Sequence, residues 1–316
     1  MNVLVTGATG FVGGRLVPAL LEAGHEVSVL VRDRSRYDAP EGVTVFEGDV
    51  LDAETLAEPL AGVDAAYYLI HAMGAGSGFE SRDRAGARNF ARAADEAGVE
   101  RVVYLSGLGV DSPDLSEHLR SRQEVEYILA DADYELTVLR AAIVVGDGSA
   151  SFSIVRQLAS KLPLMVTPRW VSTRVQPIAI ADVIAYLVGV LDVPETAGGT
   201  YEIGGPEVMT YREMLTTVGR LTTGRTPFIL PVPVLSPRLS AYWVDLVTDV
   251  PADVAHPLIE GLASDVVVTD DRIRELVPVE RTPFETAVTR ALGQDTDEGE
   301  ETDEQDGAEV RVEDTA

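Results

Sequence analysis

The 316 residues contain no cysteine, which excludes disulfides, thiolate metal sites and a cysteine nucleophile. Lysine is almost absent too. Of 25 basic residues only Lys161 is a lysine, and they face 52 acids for a net charge of −27. So acidic a chain repels nucleic acid and anionic membrane, and neither is expected as a partner. The acid-rich, lysine-poor composition resembles that of proteins from salt-loving cytoplasms, where salt screens self-repulsion. No apolar run reaches the roughly 18 residues that read as a membrane-crossing helix. The N-terminus reads as a strand rather than a charged leader with a cleavage site, so a soluble, cytoplasmic protein is expected. The four histidines, at 25, 71, 118 and 256, are dispersed without ligand spacing, and no metal site is expected.

Apolar residues make up 46% of the chain, enough for a sizeable core. Strand-like runs fall at residues 2–6, 26–31, 43–47, 65–70, 101–105 and 136–140, with helical patterns at 11–22, 56–61, 83–97 and 119–130. This alternation predicts an α/β fold, a Rossmann-type doubly wound parallel sheet with right-handed crossovers. Past Gly146 the texture changes to helical stretches at 153–161, 181–191 and 211–221, strand candidates at 174–180 and 200–203, a proline-broken stretch from 227 to 257 and a last helix at 283–292. The expected organisation is a nucleotide-binding domain over 1–148, its sheet completed by parts of 174–204. A small, mostly helical C-terminal substrate lobe with returning segments follows over 149–292. The tail, 293–316, is expected to be disordered, since residues 294–316 hold eleven acids and one arginine with little to bury.

The first strand runs straight into Gly7, Thr9, Gly10, Phe11, Val12 and Gly13. Gly7 suits the tight turn, Gly10 lets the backbone approach a pyrophosphate, and Gly13 lets the next helix pack close. The pyrophosphate would then lie on the free N–H groups of that helix. About 20 residues on, where the ribose of a dinucleotide belongs, stand Arg32, Asp33, Arg34, Ser35 and Arg36. Arginine forks suit a 2′-phosphate, which favours NADP over NAD, while Asp33 keeps NAD open.

From Thr6 to Gly13 the chain closely resembles the nucleotide signature of the extended and atypical short-chain dehydrogenases/reductases. Gly48, Asp49 and Val50, then the run from Tyr104 through Ser106 to Val110, resemble later family segments in order, as do Pro177 to Val183 and Tyr201 to Pro206. The resemblance covers roughly residues 1–292 and is closest to the branch holding the NmrA-like proteins and the NAD(P)-binding accessory subunit of respiratory complex I. It implies that Asp49 and Val50 contact the adenine end, that Leu69, Ile70 and His71 line the nicotinamide side, and that Ser106 sits by the reacting centre.

Catalytic members use a tyrosine acid with a lysine four residues later. The corresponding place here holds His118 and Arg122. A histidine can do acid/base work, and an arginine can hold a ribose or an oxyanion, while its permanent charge should depress the His118 pKa. Trp170, Tyr242 and Trp243 are candidates for an apolar substrate pocket. The resemblance thus implies an NADP-dependent oxidoreductase acting on a small molecule with a carbonyl, hydroxyl or quinone-like group. The alternatives are a non-catalytic NADP sensor or accessory subunit, as a homo-oligomer or within a larger complex, and, more remotely, a sugar-nucleotide epimerase. A Ser/His/Asp hydrolase through Ser106, His118 and Asp111 or Asp114 lacks the Gly-x-Ser-x-Gly elbow.

Overall fold

A computed structural model describes residues 1–71, 78–109, 115–231, 247–252, 254–255, 258 and 264–293. In chain order the first half runs β1 (Asn2–Thr6), α1 (Gly13–Glu22), β2 (Glu26–Val31), β3 (Thr44–Glu47), α2 (Ala57–Leu60), β4 (Ala65–Tyr68), α3 (Phe79–Glu96), β5 (Arg101–Gly107), α4 (Glu117–Leu129) and β6 (Glu135–Ala141). The second half continues with β7 (Val144–Val145), α5 (Ala150–Lys161), β8 (Leu164–Thr167), β9 (Arg174–Val175), β10 (Ile178–Ala179), α6 (Ile180–Asp192), β11 (Thr200–Ile203), β12 (Met209–Thr210), α7 (Tyr211–Thr223), β13 (Phe228–Pro231), α8 (Ile273–Leu276) and α9 (Phe284–Ala291).

Seven parallel strands form the central sheet in the order β3-β2-β1-β4-β5-β6-β11. This is a Rossmann-like α/β fold. Strands of such a sheet are covered on both faces and read as continuous apolar runs. Val3, Leu4 and Val5 accordingly are all buried. One face packs β1, β4 and β5 on α1 and α6, where the Tyr67 hydroxyl donates to the Leu187 carbonyl at 2.5 Å. The opposite face packs on α3 and α4, with Tyr68 against Phe90 at 4.9 Å between ring centres. Strand order reverses between β1 and β4, and the crevice beyond their carboxyl ends is where such sheets bind ligands. A separate core joins α5, α7 and α9 with the β8–β13 and β9–β12 pairs into a C-terminal lobe.

Several expected boundaries move, each for a local reason. The helix expected over 11–22 begins at Gly13, because residues 7–12 form the turn, where Gly10 N–H donates to Gly7 O at 2.9 Å. The strand expected over 65–70 stops at Tyr68, so Leu69, Ile70 and His71 leave the sheet edge. The segment 174–180 is not one strand: Pro177 has no N–H to donate and separates β9 from β10, and Ile180 already opens α6. The helix expected from Asp83 starts one turn earlier, at Phe79. The 294–316 tail, Asp111, Asp114, Tyr242, Trp243 and His256 lie outside the described residues.

Helix α4 is tied to the sheet by a nearly buried ion pair, Arg140 Nη2 to Glu126 Oε1 at 2.5 Å. Removing one partner of a buried pair leaves a charge poorly compensated, at a cost of about 3–5 kcal/mol. Glu126→Ala is therefore expected to lower unfolding free energy by about that amount in denaturant titration. Glu126→Gln, which keeps a hydrogen-bond acceptor for Arg140, should lose less.

Candidate active site

Each glycine of the first turn meets a concrete constraint. Gly7 has φ +75°, and a Cβ there would lie 2.7 Å from the Leu69 carbonyl oxygen. At Gly10 a Cβ would stand 3.1 Å from the Gly7 oxygen, and at Gly13 it would reach 2.3 Å from that same atom. Helix α1 can therefore close onto the turn only with glycine at 13. Its first turn carries no acidic residue and no side-chain cap; the Gly14 and Arg15 N–H groups donate to the Gly10 and Val12 carbonyls at 2.9 and 3.0 Å, and no side chain competes with an anion at this end of the helix. Phe11 packs away from the opening, against the positions of Gly146 and Gly148, with the Arg15 guanidinium 4.7 Å over its ring. Val12 forms the N-cap of α1.

A cleft of about 600 Å³ opens beyond these strand ends, lined by Gly7, Thr9 and Gly10, by Arg32, by Asp49, Val50 and Leu51, and by Leu69, Ile70 and His71. Arg82 and Asp83 of α3 complete it. Of the expected ribose-side residues only Arg32 lines the cleft. Ser35 is turned aside, because its N–H and hydroxyl both donate to Asp33 Oδ1, at 3.0 and 2.6 Å. The Arg34 N–H is held by Glu47 Oε2 at 3.1 Å. Asp49 folds back to accept the Leu51 N–H at 2.9 Å, which sets the turn that presents residues 49–51.

A second, smaller cavity of about 140 Å³ lies between α4, β6 and the C-terminal lobe. Its wall is mostly apolar, with Leu108, Ile143, Ile154, Trp170 and Tyr211 among its lining, and His118 is its titratable imidazole. Trp170 stands edge-on to Tyr211 at 5.7 Å between ring centres. Trp170 thus both lines this cavity and packs against the core of the C-terminal lobe.

The two hollows meet through a pair of histidines. His71 Nε2 lies 3.1 Å from His118 Nδ1, and His71 Nδ1 lies 2.7 Å from Asp83 Oδ2, which also accepts the Ser121 hydroxyl at 2.9 Å. His118 and Ser121 are both on α4, one turn apart on one face. Burial is the main cause that holds both imidazoles below their ordinary pKa, well below for His118, and the Arg122 charge adds to it. The depression expected from Arg122 is thus present but secondary to burial.

Arg122 itself points elsewhere. Its Nη1 donates to the Leu105 carbonyl at 2.6 Å, its buried Nε has no protein partner, and it lines neither hollow. Ser106 is likewise buried near the end of β5, its hydroxyl without a protein partner and outside both linings. Asp83, unremarked in the sequence, joins the site instead. The available signal was its position: Asp83 shares the apolar stripe of α3 with Gly86, Ala87, Phe90 and Ala94, where an acid needs a partner.

A family profile described as NAD(P)H-binding matches residues 7–187, more than half of the chain. The chain belongs to this NAD(P)H-binding family. Within it, the chain is 31% identical over 228 residues to the (4-alkanoyl-5-oxo-2,5-dihydrofuran-3-yl)methyl phosphate reductase of Streptomyces griseus, covering 69% of this chain and 73% of that protein. It is 27% identical over 298 residues to the mitochondrial NADH dehydrogenase [ubiquinone] 1 alpha subcomplex subunit 9 of Arabidopsis thaliana, covering 87% and 73%. The fold is similar to that of the Citrobacter sp. triphenylmethane reductase solved with NADP(H), with a TM-score of 0.75 at 22% identity over 92% of this chain and all of that one. The matched residues include the glycine turn and most of the residues that line the larger cleft. No described helix is long and apolar enough to cross a membrane.

Proposed function

We propose that the protein is an NADP(H)-dependent reductase of a small, neutral, largely apolar carbonyl or quinone-like compound, with His118 as proton donor. One observation carries this reading: the imidazole that lines the small apolar cavity also touches, through His71, the dinucleotide cleft. When bound, the coenzyme supplies the hydride. The chain's residues do the rest. The turn at Gly7, Gly10 and Gly13 admits the pyrophosphate, Arg32 faces the 2′-phosphate, and Leu108, Ile143 and Trp170 exclude water around the reacting group. His118 then holds the proton that the nascent alkoxide takes. The cavity volume of 140 Å³ is comparable to engineered apolar cavities of about 150 Å³ that take up one benzene. A single-ring substrate fits that volume.

Arg32→Ala is expected to weaken NADPH about tenfold, the loss of one charge-assisted contact, and to leave NADH affinity unchanged. Titration of both coenzymes by fluorescence checks this. Equal loss for NADPH and NADH, or none for either, contradicts the NADP preference.

A second reading, a coenzyme-binding subunit without turnover, is favoured by the likeness to the Arabidopsis complex I protein along 87% of this chain. It predicts tight NADPH binding, no substrate reduction, and co-purification with partner proteins at high salt.

A further inference from the structure

We propose that Asp83, His71 and His118 form a proton relay, in which the two imidazoles together store one proton and deliver it through His118 Nε2 into the apolar cavity. The inference rests on the reductase reading and adds to it two residues, from β4's exit and from α3.

The geometry fixes which nitrogen does what. Asp83 Oδ2 already accepts the Ser121 hydroxyl, so as a carboxylate it accepts from His71 Nδ1 as well. A neutral His71 then carries its hydrogen on Nδ1 and offers the Nε2 lone pair. Only a hydrogen on His118 Nδ1 can fill the 3.1 Å gap between the rings. His118 Nε2 is thereby left bare on the ring that lines the cavity. This is the unloaded state. Adding one proton reverses the middle bond: His71, now an imidazolium against Asp83, donates from Nε2 to His118 Nδ1, and His118 carries its hydrogen on Nε2, ready to give.

The balance closes on a carbonyl. The carbonyl carbon takes the hydride, the nicotinamide being oxidised, and the C=O π pair becomes an alkoxide that takes the His118 Nε2 proton to give a hydroxyl. As that N–H bond breaks, His118 Nδ1 recovers a proton from His71 Nε2, and His71 keeps the one it shares with Asp83. One proton from water reloads the pair after product leaves. The charges that act on the pair are Asp83 from α3 and, turned toward the Leu105 carbonyl, Arg122 from α4, while the buried phenols of Tyr68 on β4 and Tyr104 on β5, both raised in pKa mainly by burial, lie within the field of Asp83. Asp83 favours the loaded state, whereas burial and Arg122 oppose it and keep the pair mostly unloaded at neutral pH. Reduction should therefore speed up as pH falls below about 6.5, the ordinary imidazole value, and the reverse oxidation should speed up as pH rises.

The decisive measurement is two-bond ¹H–¹⁵N NMR on the full chain labelled at its four histidines, at pH 8, with assignments from His71→Gln and His118→Ala. Nδ1–H on both His71 and His118 is the expected signature. A hydrogen on His118 Nε2 at that pH overturns the relay, even in an active enzyme. With Asp83→Asn, which removes the carboxylate that favours the loaded state, the pH profile of kcat for reduction should move toward acid by about one pH unit. An unmoved profile also overturns it. Because the tautomers are read without turnover, Nδ1–H on both rings in a protein that reduces nothing would refute the reductase reading and leave the hydrogen-bond chain standing.

Discussion

Replacing His118 by alanine is expected to lower kcat for carbonyl reduction by about 10²–10⁴-fold, the usual contribution of a positioned general acid. The NADPH dissociation constant should hold within about twofold, since His118 lines the apolar cavity and is absent from the lining of the dinucleotide cleft. His118 lies on a helix whose Ser116 cap and Glu126–Arg140 pair are untouched by the change, beside a cavity that tolerates a smaller side chain. The variant should therefore fold, and loss of turnover would report chemistry. Stopped-flow reduction together with coenzyme titration separates the two effects. A rate within threefold of the parent protein would remove His118 from the mechanism and favour coenzyme binding without catalysis.

Gly13→Ala is expected to cost at least about a hundredfold in NADPH affinity. The added Cβ would fall 2.3 Å from the Gly7 oxygen, 2.8 Å from the Gly7 carbon and 2.9 Å from the Ala8 Cα. All three are backbone atoms of the turn that would receive the pyrophosphate under the proposed function, so relief requires the turn and the start of α1 to separate. That displaces the N–H groups aimed at the phosphates. An energy of about 2.7 kcal/mol corresponds to a hundredfold, and backbone strain of about 1–3 kcal/mol per site makes such a loss reachable before the lost phosphate contacts are counted. Gly14→Ala is the internal control. There the nearest atom is the Ala8 oxygen at 3.5 Å, an ordinary contact, and the helix gains propensity. Calorimetric titration should find Gly14→Ala unchanged and Gly13→Ala without measurable binding. If Gly13→Ala binds normally, the cradle is not where the coenzyme sits.

Much of the fold was legible because parallel strands buried on both faces leave continuous apolar runs, and β1, β2, β4, β5 and β6 are of that kind. The glycine turn was legible because steric limits on a backbone are local. The candidate site was harder to read, since its contacts join distant segments. His71 and His118 are 47 positions apart, and only the pairing of β4 with β5 and the placing of α4 beside them brings the rings together. Asp83 was hidden as one acid in a helix with many. Ser35 looked ready for a 2′-phosphate, but the nearer acid Asp33 takes both its N–H and its hydroxyl, and Arg34 is absent from the cleft lining, its backbone N–H held by Glu47.

Under the proposed function this cleft and this cavity carry out hydride transfer together. Incubation with NADPH deuterated at the transferable position of nicotinamide C4, in the presence of cyclohexanone, benzaldehyde or 1,4-benzoquinone, tests it by mass spectrometry of the products. Deuterium is expected in the carbon-bound position of the reduced carbonyl product, and for the quinone consumption of labelled NADPH with formation of the quinol, both lost in His118→Ala. Tight NADPH binding with no coenzyme oxidised by any of the three would contradict it.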